Sequence, residues 1–406
     1  MRPHPIPTAA RWRWASRAVA AALGLFAALP LRASAGHPTG FDPAYRGGAA
    51  QRIHAAVNDP FALFFRSPLV RRGFFREVHR SFGRPAIVRR ADCMVVATGD
   101  GQVLGLSLSD GHVLWTRPGD VAFEAAATLF DLGLGQQGVL LSSRQGNLLA
   151  LDPRDGSLLW ELFVDAEVRA AARQQGEVLF VSNVHNRVMA IDARRGTLLW
   201  SQGRSPPTGL TVEGHARPAV AGDRVYAAFS DGFLQAIDAR HGEALWSRPL
   251  SLRGGPFVDA DGDPQCVGNR LFACSYSDGV YAVDPEDGHT LWERPAPAPV
   301  SLVAFADLLI VGSADGILWG LRQTDGSLVW RLNASQGEGP ISRLEVDGEH
   351  LLCTAGRAGL LVIDGRHGRP IQSSGVGEAI LGDPVRDGPV VGAIGASGHV
   401  YAWRRD

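Results

Sequence analysis

The chain of 406 residues carries 41 carboxylates, twelve histidines and four cysteines, and all 40 of its basic residues are arginine. Without lysine there is no phosphate-loop lysine, no Schiff base and no lysine general base. The carboxylates recur at one spacing. Asp152, Asp192, Asp238, Asp284 and Asp364 each stand four residues before a glycine, Gly156, Gly196, Gly242, Gly288 and Gly368. A short Asp side chain accepts turn N–H groups, so these acids read as turn formers and not as a catalytic set. Histidines such as His112, His185, His241, His289 and His367 stand singly, with no pair at metal-ligand spacing. Cys93, Cys266, Cys274 and Cys353 lack the CxxC spacing of a metal or redox site. Cys266 and Cys274 read as small buried residues, because a turn at Gly268-Asn269 does not set them opposite each other. The acidic run Val258–Pro264 resembles a calcium loop only superficially: Pro264 and Arg270 stand where an EF-hand needs Gly and Glu. No Gly-x-Ser-x-Gly elbow supports a hydrolase. No catalytic, cofactor-binding or metal-ligating residue is expected.

The elements that carry these residues form a repeat. Four residues beyond each turn glycine lies a tryptophan, at Trp160, Trp200, Trp246 and Trp292, with weaker copies of the phrase ending at Trp115 and Trp330. Gln372 stands where the seventh would be. Successive tryptophans are 45, 40, 46, 46 and 38 residues apart, the period of a four-stranded propeller blade. In the earlier half of each unit, two β-rich runs flank a turn such as Ala221-Gly222-Asp223-Arg224, which makes four strands per unit. Gly at 49 of 406 residues suits this density of turns.

Seven units and an incomplete eighth, from Pro384 to Trp403, predict an all-β fold: an eight-bladed β-propeller of four-stranded antiparallel blades. The missing strand is expected from residues 61–69, since a ring cannot leave an open edge. There Leu63-Phe64-Phe65-Arg66-Ser67-Pro68-Leu69 resembles Leu245-Trp246-Ser247-Arg248-Pro249-Leu250, with Phe65 in the tryptophan slot. Phe65, Trp115, Trp160, Trp200, Trp246, Trp292 and Trp330 are expected to dock adjacent blades, each indole burying a large apolar area and donating its N–H to the neighbouring blade.

Residues 1–35 read as a cleaved export signal: Arg11, Arg13 and Arg17, an apolar run from Ala18 to Leu31 too short to span a bilayer, and Ala33-Ser34-Ala35. Residues 36–60 form an N-terminal extension and 61–406 the propeller. The export segment holds five arginines, no acid and no cysteine, so its removal leaves an acidic chain without a lipid-anchor cysteine. Nucleic acid is a poor partner for such a chain. The basic stretch Arg66, Arg71, Arg72, Arg76, Arg80, Arg84, Arg89 and Arg90 reads as a solvated face, with anionic lipid head groups as its second reading.

The Asp-x-x-x-Gly-x-x-x-Trp phrase resembles the pyrroloquinoline-quinone-type propeller repeat, shared by quinoprotein dehydrogenases and the outer-membrane assembly factor BamB family. Two stretches are similar to the BamB family: Leu210-Thr211-Val212-Glu213-Gly214 and Val258-Asp259-Ala260-Asp261-Gly262-Asp263-Pro264. The resemblance implies Leu210, Val212, Asp259 and Asp261 as partner-facing residues. Glu213 reverses the charge of the family's arginine. What it implies further is a non-enzymatic, monomeric periplasmic scaffold without cofactor, peripheral to the outer membrane. Its partners would be a BamA-like barrel-assembly protein and unfolded outer-membrane clients. The alternatives are another periplasmic binding propeller or a quinone-dependent oxidoreductase, which needs bound Ca²⁺ and a carboxylate base; many such enzymes also carry adjacent cysteines, and here no two adjoin.

Overall fold

The computed structural model describes residues 60–69, 83–98, 101–118, 126–205, 216–250, 259–260, 262–337, 339–380 and 382–405. The export segment and all but the last residue of the N-terminal extension lie outside these.

The described residues form eight four-stranded antiparallel sheets. Blades 1 to 7 span 86–118, 128–163, 173–203, 219–249, 265–295, 299–333 and 345–374, each in simple meander order. Blade 8 takes three strands from 385–405, and its outermost strand is Phe61–Pro68 from the other end of the chain. The ring is therefore closed by the N-terminal strand. First strands of adjacent blades touch one another, so they line the axis, and the fourth strands form the rim. In a meander, the turns between second and third strands share one face with the connections from blade to blade. That face is here called the upper face.

Middle strands lie between two neighbouring sheets and read as unbroken apolar runs; Cys93–Ala97 and Leu308–Ser313 are buried throughout. Every rim strand carries a β-bulge at one place, before the docking residue. In blade 2 Ala150 pairs with Trp160 and Leu151 with Leu158, which leaves Leu159 as the extra residue. In the closing strand Phe65 pairs with Ala402 and Leu63 with Trp403, and Phe64 is extra. The bulge breaks the alternation of a flat strand and leaves paired apolar residues such as Leu158 and Leu159 exposed on the rim.

Each indole reaches into the next blade. The N–H groups of Trp115, Trp160, Trp200, Trp246, Trp292 and Trp330 donate to the carbonyls of Pro153, Ala193, Ala239, Pro285, Gln323 and Gly365, at 2.8–3.2 Å. Each ring also rests on a turn glycine. At Gly156 the backbone has φ +71° and a Cβ would lie 2.6 Å from the Trp115 ring, so a side chain there is excluded twice. Phe65 covers Gly111 in the same manner.

The interface between blades 7 and 8 is built differently. The turn that should supply an indole acceptor does not exist in blade 8, because its third and fourth strands come from opposite ends of the chain. Gln372 fills the position and bonds the closing strand directly: its amide accepts from Phe61 N–H at 3.0 Å and donates to Phe61 C=O at 2.5 Å. Glu378 adds a second tie. It accepts from the Tyr401 hydroxyl at 2.5 Å and from Ser397, and lies 2.9 Å from His399 Nδ1, while Arg66 of the closing strand stands 3.2 Å from the same ring. Burial would raise the Glu378 carboxyl; the bonds from Ser397 and Tyr401 hold it below its ordinary range.

Candidate partner-binding face and channel mouth

The first strands begin on the upper face, and the residues heading them share a pattern: Arg84-Pro85, Arg217-Pro218, Asp263-Pro264 and Asp383-Pro384. Proline sets an extended entry and gives no N–H, so the residue before it stands at the channel rim with its side chain free to point inward. Arg343 heads blade 7, Glu345 follows two residues on, and Arg173 opens the first strand of blade 3. Side chains two apart share one face of a strand.

These seven charges meet across the channel. Arg84 of blade 1 donates to Glu345 of blade 7 at 2.5 Å, although blade 8 stands between them. Asp263 of blade 5 accepts from the Arg217 backbone N–H at 2.7 Å and from its Nε at 2.6 Å. Arg343, from two blades further on, bonds the same carboxylate. The Arg343 backbone N–H donates to Asp383 at 3.0 Å, and its Nε lies 3.3 Å from the same side chain. Asp263 is only 5% exposed. Burial alone would raise its pKa, yet Arg217 and Arg343 hold it well below the carboxylate range. Arg217 is raised in return, chiefly by Asp263. Burial lowers Arg84, with the charges of Arg217 and Arg343 adding to the effect.

Of the residues that sequence reasoning marked as partner-facing, Leu210, Val212 and Asp261 lie outside the described residues. Asp259 is fully buried: its carbonyl accepts from Tyr276 N–H at 2.9 Å, and its side chain is not on the surface a partner would touch. The acid of that run facing the channel is Asp263. The basic stretch is also divided. Arg84 belongs to the channel mouth, Arg89 pairs with Asp387 at 3.0 Å, and Arg90 donates to the Gly135 carbonyl at 3.0 Å. The described ends flanking 206–215 and 251–258 stand on the upper face, one at a fourth strand on the rim and the other at a first strand beside the channel.

The repeat carboxylates are engaged in turns: Asp152 accepts from Arg154 N–H at 2.9 Å and Asp238 from Arg240 N–H at 2.9 Å. Among the described residues no three His, Cys, Asp or Glu side chains group as metal ligands.

The family model described as outer membrane protein assembly factor BamB matches residues 124–332. The chain belongs to that family. No curated protein matches the sequence. Among solved structures it is similar to BamB from Moraxella catarrhalis, at 21% identity and a TM-score of 0.70 over 85% of this chain and 99% of that one. It is also similar to the computationally designed Ika8 protein (15%, 0.67, 84% and 99%) and to Saccharomyces cerevisiae Sqt1 (10%, 0.69, 85% and 99%). At these identities the likeness shows the fold, and propellers of one fold do unrelated work.

Proposed function

We propose that this protein is a non-enzymatic periplasmic scaffold that supports assembly and insertion of outer-membrane β-barrel proteins through protein–protein contacts. Membership of the BamB family carries the reading. In support, the recurring Asp, Gly and Trp residues are occupied in turns and blade contacts, which leaves the faces and rim for binding. The connections that carry Leu210, Val212 and Asp261 receive a BamA-like partner. The rim receives unfolded barrel segments by strand addition.

Strand addition has a preferred place. The bulge turns the first half of each rim strand away from an incoming chain, and proline ends the rim strands of blades 1, 4 and 5. Blade 2 has no proline in Leu158–Phe163, and Phe163 is 65% exposed. A photo-crosslinking residue at Phe163 is expected to capture unfolded barrel clients, with one at Pro295 capturing far less. Affinity purification from periplasm and outer-membrane extract is expected to recover a barrel-assembly complex. Recovery of no such complex, together with quinone- and Ca²⁺-dependent dye reduction by the pure protein, would replace this reading with the oxidoreductase.

A further inference from the structure

Among the described residues, the seven charges at the channel mouth are four arginines and three carboxylates. Asp263 is shared by Arg217 and Arg343, Asp383 is held by Arg343, and Glu345 by Arg84. Three carboxylates thus serve three arginines, and Arg173 is the fourth. It bonds no carboxylate among the described residues, although it lies in the channel wall one blade from Arg217. Its side chain is open to solvent along the channel. Desolvation by the channel wall and the like charge of Arg217 weaken its hold on its proton, while Asp263 and Glu345 act in the opposite direction. A second donor is unused nearby: Arg84 Nε is buried and has no acceptor among the described residues.

An excess positive charge in a narrow, protein-walled mouth concentrates the field there and draws in anions. Guanidinium forks match planar or tetrahedral oxyanions by paired N–H donors, better than they match halide. We propose that the channel mouth binds a small multivalent oxyanion, a phosphate or a polycarboxylate, seated between Arg173 and Arg217. The site stands on the charge pattern alone, independently of the scaffold reading, and either can fail without the other.

The test is calorimetric titration of the whole protein with potassium phosphate and, separately, potassium citrate, against potassium chloride at matched ionic strength. Saturable binding of one or both oxyanions is expected, and which of the two binds identifies the class. Arg173→Gln should weaken it by about tenfold or more, with Arg173→Lys between the two, while the unliganded melting temperature stays unchanged. Two results would overturn the site: heat that follows ionic strength equally for chloride, or affinity unaltered in Arg173→Gln.

Discussion

A single side chain in this ring does one of two jobs, and the difference shows in what its loss costs. Trp160 is a wedge: its ring rests on Gly196 and its N–H bonds Ala193. Truncation to Ala leaves a cavity between blades and an orphaned carbonyl, and is expected to destabilise by about 3–5 kcal/mol in chemical denaturation. Asp263 is a hub, and Asp263→Asn leaves two guanidinium groups facing a neutral amide. The expected loss is about 3 kcal/mol at neutral pH. Because the folded carboxyl is held below its unfolded value of about 3.9, its contribution is complete above that pH and fades as the medium is acidified through the depressed folded value. Wild type and variant should therefore converge in stability only in strong acid. The wedges are legible in the sequence because nine-residue phrases repeat them. The hub is not, since Arg217 and Arg343 lie 46 and 80 residues from Asp263 along the chain.

Among the elements, the closing strand carries the most consequence for the least length. Phe61–Pro68 completes blade 8, buries Phe61 and Phe65, and is gripped by Gln372. Deleting residues 36–70 exposes the edge of His399–Arg405 and both aromatic pockets, and the melting temperature is expected to fall by about 10 °C or more. Gln372→Leu keeps the shape but strands the Phe61 N–H and C=O, at a cost of about 1–3 kcal/mol, measurable in the same melt. Equal melting of the deletion variant and the parent would refute the closure. The strand itself was foreseeable from Leu63-Phe64-Phe65, which copies the rim phrase. The reason for glutamine at 372 was not, because it depends on a turn that is missing only once the two ends of the chain are brought together.

At the scale of the whole molecule, eight stacked sheets leave little interior that solvent or reagents reach. Cys93, Cys274 and Cys353 are buried and Cys266 half-buried, all four as free thiols. Burial pushes Cys93 and Cys353 up to about 12, so at neutral pH neither forms the reactive thiolate. A thiol reagent is expected to titrate at most Cys266 quickly in the native protein and all four after denaturation; fast labelling of three or more would contradict the packing.

The architecture was determined by the sequence alone, because blade number, strand order, wedge positions and ring closure all follow from local periodicity, and each blade repeats one short-range code. The electrostatics of the channel were decided only in three dimensions. Residues heading the first strands of blades 1, 3, 4, 5, 7 and 8 meet solely because the ring brings those strands to a common axis, and no spacing along the chain encodes which arginine finds which acid. For the same reason Asp259 and Asp263, four residues apart in one acidic run, end in different settings, one sealed inside the fold and the other bound across the channel.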